Sequence, residues 1–215
     1  MDKNIFRDVS YGMYVVTTQT AGCVINTMTQ ITSEKPIISI SLNKNNYTNE
    51  KIKEEKKFAV SIISEKTNPN LISVFGFSSS KEKDKFENFD YEELNNIKVL
   101  KEDTTGYLIC EVINIIDCET HDIFLGRVID TKKLNDNPPM TYKYYHEVVK
   151  GKAPKNAPTY IEEKVEEDVY VCDICGYQHK GEVPEGFICP ICGVDHTHFK
   201  KKLKSRGNRR IYEYT

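Results

Sequence analysis

The sequence predicts a mainly β domain, an antiparallel barrel with helical excursions, followed by a small C-terminal metal module. Strand-length runs of β-branched and aromatic residues recur up to about residue 150, without regular alternation with helices. A proline-containing, acid-rich segment follows, and two Cys-x-x-Cys pairs lie beyond it. These observations predict a barrel domain at 1–150, a linker at 151–168, a metal module at 169–200 and a basic tail at 201–215.

Five runs are predicted to be strands of the first domain, because β-branched and aromatic residues favour a pleated, half-buried surface. They are YVVTTQT (14–20), IISISL (37–42), FAVSII (58–63), YLICEVINII (107–116) and IFLGRVI (123–129). One helix is expected from Thr48 to Lys57, with Thr48 or Asn49 as its N-cap. A second helix is expected to begin at Asn68-Pro69, an N-cap followed by proline at the first helical position.

The composition is that of an ordinary globular protein, with 39% hydrophobic residues, 29% charged residues and a net charge of −2. This balance gives the whole chain no electrostatic attraction to nucleic acid or to a membrane surface. No apolar run approaches the roughly 18 residues that a membrane span requires. The opening sequence MDKNIFRDVSYGMYVV lacks the apolar core of a signal peptide. We therefore expect a cytoplasmic protein.

The two cysteine pairs have the spacing of a metal site, because two residues between cysteines let both sulfurs bind one ion from a tight turn. The predicted ligands are Cys172, Cys175, Cys189 and Cys192. Gly176 and Gly193 follow the second cysteine of each pair, where positive φ turns backbone N–H groups toward the thiolates. Two disulfides, or four unrelated core cysteines, are the alternatives, but so small a module must have its cysteines bonded, and in a reducing compartment a metal is expected to hold it. Iron and zinc both accept this ligand set.

The segment CDICGYQHKGEVPEGFICPICG (172–193) resembles the iron-binding module of rubredoxins, in the shortened form found at the end of rubrerythrins. The resemblance implies iron bound by the four cysteines, with Tyr177 and Phe187 as packing aromatics and Pro190 in the second turn. Three nearby histidines are expected to stay outside the ligand set, namely His179, His196 and His198. Iron held by four thiolates changes by one electron without changing its ligands, which suits electron carriage.

The first domain contains no G-x-G-x-x-G or Walker sequence, so a Rossmann or P-loop site is not expected. It has instead three polar clusters between strands, at 26–30, 43–48 and 75–80, the last followed by Lys85. Taken singly, each can be an ordinary turn, because asparagine, serine, threonine and glycine dominate turns.

In their order these clusters resemble the flavin reductase-like family, the FMN-binding split barrels, in the branch fused to rubredoxin. The matching segments are SYGMYVVTT (10–18), NTMTQ (26–30), NKNNYT (43–48), FGF (75–77), DKF (84–86) and Thr120-His121. The resemblance implies a split barrel that binds FMN, and a homodimer that builds the flavin site between its subunits.

The candidate flavin-binding residues follow from these motifs: Asn26, Thr27, Thr29, Gln30, Asn43, Lys44, Asn46, Thr48, Phe75 and Lys85. Lys44, Asn46 and Thr48 are expected to meet the phosphate at the start of a helix, with a cation, donors and the positive helix end. Thr27, Thr29 and Gln30 are expected at the polyol and the ring edge. His121 is the catalytic candidate, on the nicotinamide side, unless it is a hydrogen-bonded histidine at a strand start.

The expected function is electron transfer from NAD(P)H or a partner reductase through FMN to iron, and then to an acceptor protein. Family resemblance suggests a diiron oxygen- or peroxide-reducing acceptor. One alternative is a flavin reductase with a structural zinc clip, and another is a zinc-ribbon protein whose basic tail contacts nucleic acid. The second is disfavoured because the rest of the chain is not basic. Tyr144 and Tyr145 are expected either at the flavin or at a dimer face.

Overall fold

The computed structural model describes residues 5–6, 8–151 and 169–202. Nearly all of the predicted linker, and the basic tail beyond residue 202, lie outside the described residues. Within the described part of the chain, no helix is long and apolar enough to cross a membrane.

The first domain is mainly β, as predicted. Its strands are β1 (Tyr14–Thr17), β2 (Gly22–Ile25), β3 (Met28–Gln30), β4 (Ile37–Asn43), β5 (Lys57–Ile63), β6 (Tyr91–Leu94), β7 (Ile97–Leu100), β8 (Thr104–Cys118) and β9 (His121–Lys133). Its helices are α1 (Tyr47–Glu55), α2 (Pro69–Phe77) and α3 (Tyr142–Glu147).

Seven strands form one antiparallel sheet in the order β2-β1-β5-β8-β9-β4-β3, which curves into a half-barrel. The β8–β9 hairpin is long, and its register shifts at Ile109/Cys110 and at Val112/Asn114. Such irregularities bend a strand and increase its twist, which allows the sheet to curve around a core. Phe58, Val60 and Phe124 are fully buried in that core. The fold class expected from the sequence is thereby confirmed.

Local sequence explains where the helices begin. Asn46 caps α1, and its side chain accepts a hydrogen bond from the Thr48 amide at 2.9 Å. The cap therefore lies two residues before the earlier of the two expected positions. Asn68 caps α2 and Pro69 opens it, as predicted.

Several short elements were not expected, namely β2, β3, α3 and the β6–β7 hairpin. Asn95 and Asn96 form the turn of that hairpin with φ values of 55° and 62°. Consecutive positive φ values match the two-residue hairpin turns in which asparagine is favoured, so the Asn-Asn pair was an available signal. β3 also places Met28–Gln30 in a strand, where the sequence predicted a binding turn.

The metal module has its own small sheet, with β10 (Val169–Cys172) between β11 (Gln178–Lys180) and β12 (Phe199–Lys201). Phe199 lies in its core, with ring centroids 6.3 Å from Tyr177 and 5.5 Å from Phe187. The packing role expected for Tyr177 and Phe187 is confirmed. This core is small, so the cysteine centre must supply much of the module's stability.

Candidate cofactor cavity and metal centre

The four predicted cysteines converge, and their sulfur atoms all lie within 4.8 Å of one another. The Cys172 and Cys192 sulfurs are 3.6 Å apart, and those of Cys175 and Cys189 are 3.5 Å apart. A tetrahedral site with metal–sulfur bonds of about 2.3 Å places its sulfurs about 3.8 Å apart. The arrangement therefore fits one tetrahedral metal ion.

Backbone geometry aims amide groups at these sulfurs. Gly176 and Gly193 have φ values of 76° and 73°, as the sequence predicted for the residues that follow each pair. Amide N–H groups of Tyr177 and Val194 reach the sulfurs of Cys175 and Cys192 respectively. The pKa of Cys189 is lowered, first by its hydrogen bond with the Cys175 thiol and then by backbone amides. Such amides stabilise thiolates, the form that binds metal.

The three nearby histidines form contacts elsewhere. His198 Nδ1 lies 3.0 Å from Asp173, His196 Nδ1 accepts the Gly186 amide at 3.3 Å, and His179 packs on the Phe187 ring. Among the described residues, the group able to hold a metal consists of the cysteines alone. The prediction that the three histidines lie outside the ligand set agrees with this geometry.

The barrel domain contains a cavity of about 460 Å³ between β2, β4, the start of α1, the end of α2 and α3. This volume lies in the range that holds drug-sized ligands. Hydroxyl, amide and ammonium groups form one part of its lining, including Asn45, Asn46, Ser79, Ser80 and Lys85. Apolar and aromatic side chains form another part, including Met13, Ile72, Phe77, Tyr142 and Tyr145.

The cavity gathers about half of the predicted flavin-site residues. Those that line it are Asn26, Asn43, Asn46, Lys85 and His121. Those that do not are Thr27, Thr29, Gln30, Lys44, Thr48 and Phe75. Phe75 is buried in the core against Phe86, with ring centroids 5.2 Å apart. Thr29 and Gln30 are exposed on β3, which ends the sheet, and the Gln30 amide donates to the Thr32 carbonyl.

Lys44 departs most clearly from expectation, because its ammonium group pairs with Asp117 at 2.5 Å instead of lining the cavity. The cause is strand register: Asn43 on β4 lies opposite His121 on β9, which brings the end of the β8–β9 hairpin next to Lys44. The lysine that does line the cavity is Lys85.

Lys85 is buried, with 4% of its surface exposed. Its ammonium group donates to the carbonyls of Gly22 at 2.7 Å and Phe75 at 3.1 Å. Burial lowers the pKa of Lys85 to about 8, because desolvation disfavours the charged form. Phe75 thus contributes to the site by holding Lys85, both through its carbonyl and through its ring, whose centroid lies 5.8 Å from the ammonium group.

His121 lines the cavity at the start of β9. Its Nδ1 lies 2.9 Å from the Thr120 hydroxyl, whereas its buried Nε2 has no hydrogen-bond partner among the described residues. Burial lowers the pKa of His121, and the Asp122 charge opposes the shift. Asp122 is in turn held by the Asn49 amide at 2.9 Å and by Lys53 at 2.6 Å. A neutral imidazole with one unpartnered nitrogen fits a site that receives a polar ligand.

Sequence reasoning missed some of the lining. Ser79 and Ser80 belong to the third polar cluster, yet only Phe75 was selected from it as a site residue. Tyr145 lines the cavity, whereas Tyr144 is not part of the lining. Burial raises the pKa of Tyr145, and nearby cysteine sulfurs add to the shift.

The lining suits a flavin, whose ring is largely apolar with one polar edge and whose side chain is polar and anionic. The aromatic part of the lining matches the flavin ring. The hydroxyl and amide groups, together with Lys85, match the polyol and the phosphate. The unpartnered Nε2 of His121 can form a hydrogen bond with a polar group of the ligand. Fold and sites together define a flavin-binding oxidoreductase with a C-terminal four-cysteine metal centre.

The chain belongs to the flavin reductase like domain family, which residues 6–152 match. Residues 170–200 match the rubrerythrin, rubredoxin-like domain. The chain is 36% identical over 188 residues to the high molecular weight rubredoxin of Moorella thermoacetica, an alignment that covers 82% of each protein. It is 34% identical over 169 residues to the ferric-chelate reductase (NAD(P)H) of Archaeoglobus fulgidus, covering 76% of this chain and all of that one.

Solved structures agree on the barrel. An NADH:FAD oxidoreductase of Streptomyces globisporus superimposes with a TM-score of 0.59 at 21% identity, covering 65% of this chain and 85% of that one. The flavin reductase PheA2 gives a TM-score of 0.55 at 26% identity, covering 66% and 93%. These likenesses support the fold of the first domain.

Proposed function

We propose that this protein takes electrons from NAD(P)H into FMN, passes them singly to iron held by its four cysteines, and delivers them to an acceptor protein. One observation carries the proposal: a single chain holds both a flavin-sized cavity and a tetrahedral four-sulfur site. When bound, the flavin accepts a hydride and releases single electrons, and four-thiolate iron carries one electron at a time. The Archaeoglobus relative, a ferric-chelate reductase (NAD(P)H), supports NAD(P)H as the donor.

The polar part of the cavity is proposed to bind the phosphate and polyol. Lys85 supplies the cation, Ser79 and Ser80 supply hydroxyl donors, and the N-terminus of α1 adds its positive end. Lys85 is already desolvated and held by two carbonyls, so it needs little reorganisation when an anion arrives. FMN is preferred to FAD on the family resemblance of the sequence motifs.

His121 is proposed to act beside the flavin, where its neutral Nε2 can accept a hydrogen bond or a proton from the bound donor or cofactor. The Asp122–Asn49 contact fixes the backbone from which His121 projects. Thr27, Thr29 and Gln30 lie outside the cavity within one chain. They remain proposed flavin contacts only through a second subunit.

Homodimerisation is proposed through the β8–β9 hairpin, which carries exposed apolar side chains on both of its strands. Ile113, Ile116 and Ile129 are each 41–43% exposed. Exposed apolar side chains along a strand pair are a common feature of subunit contacts, and the proposal rests on this exposure together with the family resemblance. A cytoplasmic location is also proposed, because the sequence indicates that the paired cysteines are reduced.

The visible spectrum of the purified protein, together with metal analysis, tests this function. The proposal predicts one FMN and one iron per chain and a red-orange protein. A yellow protein that contains zinc would instead indicate a flavin reductase with a structural clip. A colourless zinc protein that binds no added flavin would contradict the proposal.

A further inference from the structure

The cavity and the metal module share a wall. Phe77 ends α2 and lines the cavity, and it also packs against the cysteine cluster of the module. Val149, just after α3, belongs both to the barrel cluster that contains Ile72 and to the module cluster that contains Cys175. Phe77 and Val149 therefore touch both domains.

Tyr145 completes this wall from the barrel side. It lines the cavity, only 2% of its surface is exposed, and its hydroxyl has no hydrogen-bond partner among the described residues. Its phenol is also within electrostatic reach of Cys175, Cys189 and Cys192. A single layer of side chains thus has the cavity on one face and the sulfurs on the other.

Gly151 fixes the Tyr145 ring in this layer. The Gly151 amide donates to the Tyr145 carbonyl at 3.0 Å, and the Gly151 carbonyl lies 2.8 Å from His146 Nδ1. A Cβ at Gly151 would lie 2.0 Å from the Tyr145 ring. The backbone at Gly151 thereby lies directly against the Tyr145 ring.

We propose that Phe77, Tyr145 and Val149 form the electron-transfer interface, across which electrons pass from the cavity to the metal centre with the module docked on the barrel. This inference rests on the proposed function. Each transfer oxidises the reduced flavin by one electron and reduces one ferric ion to ferrous. The nicotinamide hydride supplies the electron pair, a one-electron acceptor protein reoxidises the metal, and the protons return to solvent.

Docked transfer has a physical advantage over a module that moves between two positions. Phe77 and Val149 pack against the module cluster, so a docked module keeps the metal centre next to the cavity wall that Phe77 forms. The wall also lies on the apolar side of the cavity, the side that suits the flavin ring. Ile174 and Ile188, on the cysteine turns, remain 41% and 55% exposed, so the module keeps an open face for an acceptor.

Val149→Asp tests the interface, and Val148→Asp is its matched control, because Val148 is the adjacent valine and is 59% exposed. The first readout needs no electron flow: hydrogen exchange of the full-length zinc-loaded protein. Val149→Asp should speed exchange in peptides spanning 72–77 and 189–194, and Val148→Asp should leave them unchanged. Protected amides in β5 and β8 show that the barrel remains folded, and Val149→Ser serves as a milder variant.

The second readout is stopped-flow spectroscopy of the protein loaded with FMN and iron. After flavin reduction, the rate of ferric loss should fall by an order of magnitude or more in Val149→Asp, with flavin reduction by NADH unchanged. Parent-like exchange and parent-like transfer in Val149→Asp would overturn the interface while leaving the proposed function intact. If reduced flavin fails to reduce iron even in the parent, the proposed function is wrong, and the exchange data alone decide the docking.

Discussion

Gly151 and Tyr145 form one interlocked unit, in which the Gly151 amide donates to the Tyr145 carbonyl at 3.0 Å and a Cβ on Gly151 would lie 2.0 Å from the Tyr145 ring. We expect Gly151→Ala to displace the ring and to lower the free energy of unfolding by about 1–3 kcal/mol, the usual cost of overpacking. Thermal and urea unfolding measure this change.

The matched control for Gly151→Ala is Gly76→Ala within α2. A Cβ there meets the Val24 side chain at 3.6 Å, an ordinary contact. Alanine is also the better helix former by roughly 0.5–1 kcal/mol, so this variant should be neutral or stabilised. Equal losses of stability in the two variants would show that the ring does not require glycine at position 151.

Replacement of Lys85 should weaken FMN binding more than replacement of Lys44. Lys85→Met removes the ammonium group that lines the cavity, and loss of a charge-assisted contact should cost about 1–3 kcal/mol of binding free energy. Lys44→Ala is the control, since Lys44 pairs with Asp117 away from the cavity. Isothermal titration with FMN measures both. A larger loss in Lys44→Ala would restore Lys44 as the phosphate ligand.

The pKa of Lys85 gives FMN binding a pH dependence. Burial lowers that pKa from 10.5 to about 8 in the free protein, so the lysine loses its proton as the pH rises through about 8. Only the protonated lysine attracts the phosphate, and the bound phosphate raises the lysine pKa. Above the second pKa of the phosphate, about 6, the affinity should therefore be level up to about pH 8 and fall by up to about tenfold per pH unit beyond it. Lys85→Met should lack this break, and a break of equal size in that variant would assign it to another group.

The lowered pKa of Lys85 also makes the free energy of unfolding depend on pH. A lysine in an ion pair has a raised pKa and loses its stabilising effect as the pH rises, whereas Lys85 shows the opposite trend. Below pH 8 the folded protein holds a buried charge, which the unfolded chain carries in water at no such cost. Between about 8 and 10.5 the unfolded chain binds the extra proton, so this group's contribution to stability rises with pH.

Replacement of one metal ligand should leave the barrel intact. Cys175→Ser exchanges a buried thiolate for a poorly ionised hydroxyl, so metal content should fall well below that of the parent. Cys118→Ser is the control, because Cys118 is exposed and lies at the end of β8, outside the metal site. Elemental analysis and circular dichroism check both variants. Full metal content in Cys175→Ser would mean that another residue completes the site.

How far the sequence predicts the structure differs between the two domains. In the metal module the ligands lie close together in the chain, so spacing and glycine chemistry alone give the site, and the sulfurs converge as expected. In the barrel the cavity draws residues from distant segments, and side-chain direction depends on sheet register. That register turns Lys44 to Asp117 and leaves Thr29 and Gln30 exposed, which no local motif reveals.

The wall between the cavity and the metal module could not be predicted from the sequence, because it depends on tertiary contacts. Phe77 ends α2, whereas Tyr145 lies in α3 and Val149 just after it, so the wall joins segments far apart in the chain, and the metal module adds the third partner. From the sequence alone, Tyr145 could be placed either at the flavin or at a dimer face. Its contact with Gly151 and its reach to the cysteines required the folded chain.

The order of reduction tests the central claim most directly. The oxidised protein, loaded with FMN and iron, is mixed with NADH or a partner reductase in a stopped-flow instrument, and flavin and ferric bands are followed separately. The metal centre has no open ligand position for a hydride when all four cysteines bind, so we predict that flavin bleaching comes first and ferric loss follows. Iron that is reduced before the flavin, or without it, would contradict the account.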